Sequence, residues 1–94
     1  MNPQEALINL QKANDQSHIA IKIITAYDCC SYLYKNFESL TLEDSKNIHT
    51  ILTSIIDDTK NYLTFIQPDF AKTALELFEK LHDKCSTVLK GNKE

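Results

Sequence analysis

Residues 2–40 read NPQEALINLQKANDQSHIAIKIITAYDCCSYLYKNFESL, and the fold turns on whether this stretch is one helix or two. Asn2 can cap free backbone N–H groups and Pro3 suits the first helical position, so a helix starts here. No Gly or Pro interrupts residues 4–67, and no strong stop precedes Glu38-Ser39-Leu40-Thr41. The second half of the stretch carries a core stripe of Ile19, Ile23, Ala26, Cys30, Leu33 and Phe37. The first half does not continue it, because Leu7 and Leu10 point more than about 120° away at a helical advance of about 100° per residue. They align instead with Ser17, Ile21 and Ile24. Written as heptads, this second stripe runs Leu7, Leu10, Asn14, Ser17, Ile21, Ile24, Asp28 and Ser31, too broken by polar residues for an autonomous coiled coil.

Two structures fit this pattern. A continuous first helix of about 36 residues, roughly 54 Å long, would overhang its neighbour by about ten residues and turn the second stripe toward a partner. Alternatively, Asn14-Asp15-Gln16-Ser17, whose side chains compete for backbone hydrogen bonds, breaks the helix, and a short first helix folds back over Ile21 and Ile24. Without Gly or Pro at the break, the continuous helix over about residues 3–38 is the expectation and a four-helix bundle the alternative.

Downstream, Thr41 with Asp44 approximates a capping box that opens a second helix, over about residues 42–66. Gln67-Pro68-Asp69 reads as a tight connection into a third helix over about residues 69–90, with Gly91 placed for a left-handed C-terminal cap. Helix two has a face of Ile48, Leu52, Ile55, Thr59, Tyr62 and Ile66, widened by Ile51, Ile56 and Leu63. Helix three has Phe70, Ala74, Leu77, Leu81, Cys85 and Val88, with Phe78 and Leu89 alongside. Short connections join sequential antiparallel neighbours, so the expected fold is all-α, an up-down-up three-helix bundle in one domain over residues 1–94.

Composition bounds the function. Ninety-four residues enclose one modest core and leave no room for a separate catalytic lobe. The net charge of −3 argues against a general nucleic-acid or anionic-membrane binder. Every basic residue apart from histidine is Lys, so the bidentate guanidinium fork is missing. Three cysteines, an odd number, and an N-terminus without a signal-peptide pattern lead to the expectation of a reducing cytoplasm. No apolar run approaches the roughly 20 residues needed to span a bilayer, the longest being cut by Lys22.

Candidate chemistry is thin. Cys29, Cys30, His49, His82 and Cys85 fall at similar heights along the bundle, ligand types that suit zinc. The two histidines project well off their core directions, however, and buried thiols more often act as small hydrophobes. Glu79-Lys80-Leu81-His82 matches one half of a di-iron helix motif, but a single copy with Leu81 at the core position does not make the site. Asp57-Asp58 reads as a solvated acidic face, since no second acidic motif accompanies it. His18, His49 and His82 lack the small neighbours a phosphorelay partner needs. The aromatics Tyr27, Tyr32, Tyr34 and Phe37 read as the closing end of the core, with Tyr32 the one directed away from the main stripe.

The expected function is therefore binding without catalysis, with no cofactor or metal: a small cytoplasmic adaptor, inhibitor, immunity-type or chaperone-like domain. Its expected interface is Leu7, Leu10, Asn14, Ile21 and Ile24, used in a homodimer or against another protein, with polar Asn14 restricting register. Neither direct nucleic-acid binding nor membrane insertion is expected. The alternative from another class is a metal- or redox-responsive protein using the Cys/His layer. A weaker third is a regulator of nucleic-acid machinery acting by protein contact or acidic mimicry.

Overall fold

The computed structural model describes residues 1–91 and contains four α-helices: α1 (Pro3–Asn14), α2 (Ile19–Lys35), α3 (Leu42–Phe65) and α4 (Asp69–Gly91). A single 3₁₀ turn, Phe37–Ser39, lies between α2 and α3. The all-α class holds, and the three-helix bundle with a continuous first helix does not. The longest dimension of the molecule is 41 Å, shorter than the roughly 54 Å that a straight 36-residue helix requires.

The break forms where the polar cluster stands, through competition for backbone hydrogen bonds. Gln16 Oε1 accepts from the His18 backbone N–H at 3.1 Å, and the Gln11 side-chain amide donates to Asp15 Oδ1 at 3.3 Å. The turn needs no left-handed residue, since no described residue has positive φ. What drives the reversal is burial: Ala6, Leu10 and Ala13, spaced as one face of α1, become fully or nearly fully buried. A straight helix would leave that face in water. The two alanines let α1 sit close to its neighbours, chiefly α2 and also α3.

Helix caps follow the sequence. Asn2 Oδ1 accepts from the Glu5 backbone N–H at 2.9 Å, and Glu5 Oε1 accepts from the Asn2 N–H at 3.2 Å, completing a capping box around Pro3. Thr41 and Asp44 form the same reciprocal pair, both bonds at 3.0 Å. The left-handed cap at Gly91 is not formed, since Gly91 is still helical with negative φ.

The helices associate as two hairpins, α1–α2 and α3–α4, which make the most extensive pairings. The hairpins pack side by side with α2 against α4, and these two helices run parallel. Ile24 and Tyr27 of α2 share a groove with Phe70 and Thr73 near both N-termini. Near both C-terminal halves, the Lys84 ammonium lies 4.9 Å from the ring centroids of Tyr34 and Phe37. α2 and α3, successive in sequence, touch far less than α2 and α4. The expectation that each helix packs mainly on the next therefore fails at this step: residues 36–41, with their 3₁₀ turn, carry the chain across the bundle instead.

The buried apolar side chains form one cluster drawn from all four helices, with Phe78, Leu10, Ile23, Leu33, Ile48, Leu52, Ile55 and Leu81 its largest fully buried members. No helix among the described residues is long and apolar enough to cross a membrane.

Candidate functional site

Breaking helix one distributes the second stripe over two helices. Leu10 goes into the core, Leu7 packs half-buried against it, and Asn14 ends α1 with its Oδ1 buried and unpartnered among the described residues. Ile21 and Ile24 remain outside, 47% and 53% exposed. The fold-back of α1 thus occurs without the expected cover: α1 buries Ala6, Leu10 and Ala13 in the core and leaves Ile21 and Ile24 outside.

Ile21 and Ile24 sit three residues apart on one face of α2, in the N-terminal half of the helix. That half lies at the end of the bundle where the α1–α2 and α3–α4 connections both turn. Phe65, Ile66 and Phe70 are also exposed at this end, Phe65 most of all at 86%. Ile66 and Phe70 fell on the apolar faces assigned to the core. Ile66 falls just beyond α3 with extended backbone (φ −132°, ψ 138°), and Phe70, in the first turn of α4, stays exposed at the open end of the bundle.

A groove of about 460 Å³ runs between α2 and α4 at this end. Ile23, Ile24, Tyr27 and Asp28 form one wall, and Asp69, Phe70, Thr73 and Ala74 the other. No Lys lines it. Neither Asp28 nor Asp69 takes part in an ion pair among the described residues. Sequence reading found Ile24 but not the opposite wall, because only the parallel pairing of α2 with α4 brings Phe70 and Asp69 across from it.

The Cys/His layer separates into two unrelated groups. The thiols are free and buried. Desolvation, with smaller contributions from Cys29 and Cys85, holds the Cys30 thiol far above its ordinary pKa. Burial pushes Cys85 up to about 11, opposed by a hydrogen bond from Ser45. Cys29 is raised by burial and then by Asp28. Thiols held in this way are protonated near neutrality and are poor nucleophiles and poor metal ligands.

The histidines lie on the outer surface of the α3–α4 hairpin. His49 and His82 stack with ring centroids 4.1 Å apart and planes inclined by 22°. His82 Nε2 also lies 3.0 Å from the Thr53 hydroxyl oxygen. Partial burial, and next the neighbouring His49, lower the His82 pKa, while Asp83 and Glu79 oppose the shift. Among the described residues no three His, Cys, Asp or Glu side chains gather as a metal site would require. Glu79 turns to Lys60 at 3.6 Å across the same hairpin, an exposed pair of small energetic weight.

Asp57 is exposed, whereas Asp58 accepts a 2.7 Å hydrogen bond from Lys22 Nζ. Lys22, which interrupts the apolar run of α2, is itself buried, so the two residues form a cross-bundle ion pair. Tyr27, Tyr32, Tyr34 and Phe37 are all partly buried against the core, Tyr32 included.

Comparison with protein-family models, curated proteins and solved structures finds no match.

Proposed function

We propose that this chain is a non-catalytic protein-binding domain of adaptor, inhibitor, immunity-type or chaperone-like character, acting through the apolar end of the bundle. The observation that carries the reading is the exposure of Ile21, Ile24, Phe65, Ile66 and Phe70 at one end of the bundle, five of the large apolar side chains left outside, while Met1, Ile8 and Leu42 stand exposed elsewhere. Large apolar side chains exposed at one end of a small protein mark interaction surfaces, and here Ile24 and Phe70 share one groove. The partner is a second copy of the chain or another protein, and a cytoplasmic setting accords with three free thiols.

Capture from native lysate, comparing wild type with Ile21→Asp, tests the reading. Ile21 is exposed, so the variant keeps its helicity and melting temperature while losing its partner. Light scattering at high micromolar concentration separates the two kinds of partner. A wild-type monomer whose captured proteins are all retained by Ile21→Asp would refute an interaction role for this end.

A further inference from the structure

The α2–α4 groove has features that select among partners. Its volume of about 460 Å³ falls within the roughly 300 to 1,000 Å³ typical of ligand sites. The apolar strip does not stop at its rim, because Ile21 extends it by one turn of α2. An open groove between two helices, continued by Ile21 along α2, suits the apolar face of a helix better than one compact molecule.

Charge narrows the choice further. Asp28 and Asp69, both exposed, stand on opposite walls, so an occupant with positive charge beside its apolar face gains two ion pairs that a neutral or acidic one does not. A second copy seated face to face about a two-fold axis would bring these carboxylates toward their own equivalents, in a chain whose net charge is already −3. Direction follows from the fold. α2 and α4 run parallel, so an occupant antiparallel to both opposes their macrodipoles, and its C-terminal turns, where Lys and Arg are favoured, come to lie beside Asp28 and Asp69.

We infer that the α2–α4 groove receives an amphipathic helix of another protein, its apolar face seated on Ile24, Tyr27 and Phe70 and basic residues of its C-terminal turns meeting Asp28 and Asp69. This rests on the protein-binding reading above and adds the chemistry of the partner.

The test uses three synthetic helical peptides of about 16 residues, roughly 24 Å long. They share one apolar face and differ only in carrying Lys, Gln or Glu beside that face in the C-terminal turns. Fluorescence anisotropy with the full chain should rank them Lys, Gln, Glu, with about tenfold or more between Lys and Glu, narrowing at high salt. The gap should collapse in the Asp28→Asn, Asp69→Asn double variant, and Ile24→Asp should abolish binding with its circular dichroism unchanged. Equal affinity for the Lys and Glu peptides, no binding of any peptide, or a wild-type dimer dispersed by Ile24→Asp would each overturn the inference. Should Ile21→Asp still lose its partner in lysate when the Lys preference is absent, the protein-binding reading stands and only the basic-helix assignment falls.

Discussion

Replacing Leu10 with Ala separates the folded-back α1 from an overhanging one, because the two arrangements assign this side chain opposite surroundings. Leu10 is 0% exposed while Ile8, two residues earlier on the same helix, is 56% exposed. The substitution deletes three carbons, at about 0.8 kcal/mol for each buried group. Incomplete collapse of the space adds to this, giving an expected loss of about 2.5 to 4.5 kcal/mol. For a domain of this size each kcal/mol lowers Tm by about 4 to 8 °C, so a fall of at least about 10 °C is expected. Ile8→Ala should stay within about 0.5 kcal/mol of wild type, since its side chain already stands in water and Ala is the better helix former. Urea unfolding followed by far-UV circular dichroism measures both. A twelve-residue helix depends on docking for its stability, so a shallower urea dependence in Leu10→Ala would report early release of α1. Equal, small effects of the two substitutions would refute the fold-back, because an overhanging helix exposes both residues.

Two further outcomes follow from the ion pair and the histidine stack. Asp58→Ala strands the buried Lys22 ammonium and should cost about 1 to 3 kcal/mol, less than a fully enclosed pair because the Asp58 side chain is 37% exposed. Lys22→Met leaves Asp58 free to hydrate and should cost under about 1 kcal/mol, so equal losses from the two variants in urea titrations would contradict the asymmetry. For His82, whose pKa is lowered in the folded chain, the unfolded chain takes up the proton first as pH falls. Its contribution to stability is therefore present above histidine's ordinary pKa of about 6.5 and lost as pH drops through the lowered value. His82→Gln should flatten that part of the profile of urea midpoint against pH, and an unchanged slope would remove the histidine pair as its source.

Much of the local structure was legible because it depends on neighbours in sequence. Asn2 with Pro3, Thr41 with Asp44, and Pro68 before Asp69 each act within a few residues, and helices begin at Pro3, Leu42 and Asp69 accordingly. The stripe from Ile19 to Leu33 and the faces of α3 and α4 follow the same helical period that burial obeys. The groove was half legible. By helical period Ile24 is an apolar residue off the main stripe, whereas Asp28 is a polar interruption and Phe70 a core position. Their roles depend on which helix stands opposite, and sequence periodicity carries no such information.

By itself, then, the sequence determined that the chain is helical, where most of its helices start, and that helix one holds more apolar faces than a simple bundle uses. The tertiary structure decided whether Asn14 to His18 bends, because the local hydrogen-bonding preferences there are weak and burial of Ala6, Leu10 and Ala13 settles the balance. It also decided that α2 lies beside α4, leaving Ile21 and Ile24 in solvent. A period of 3.6 residues fixes which side chains share a face. What that face meets is set by the competition among all four helices for one core.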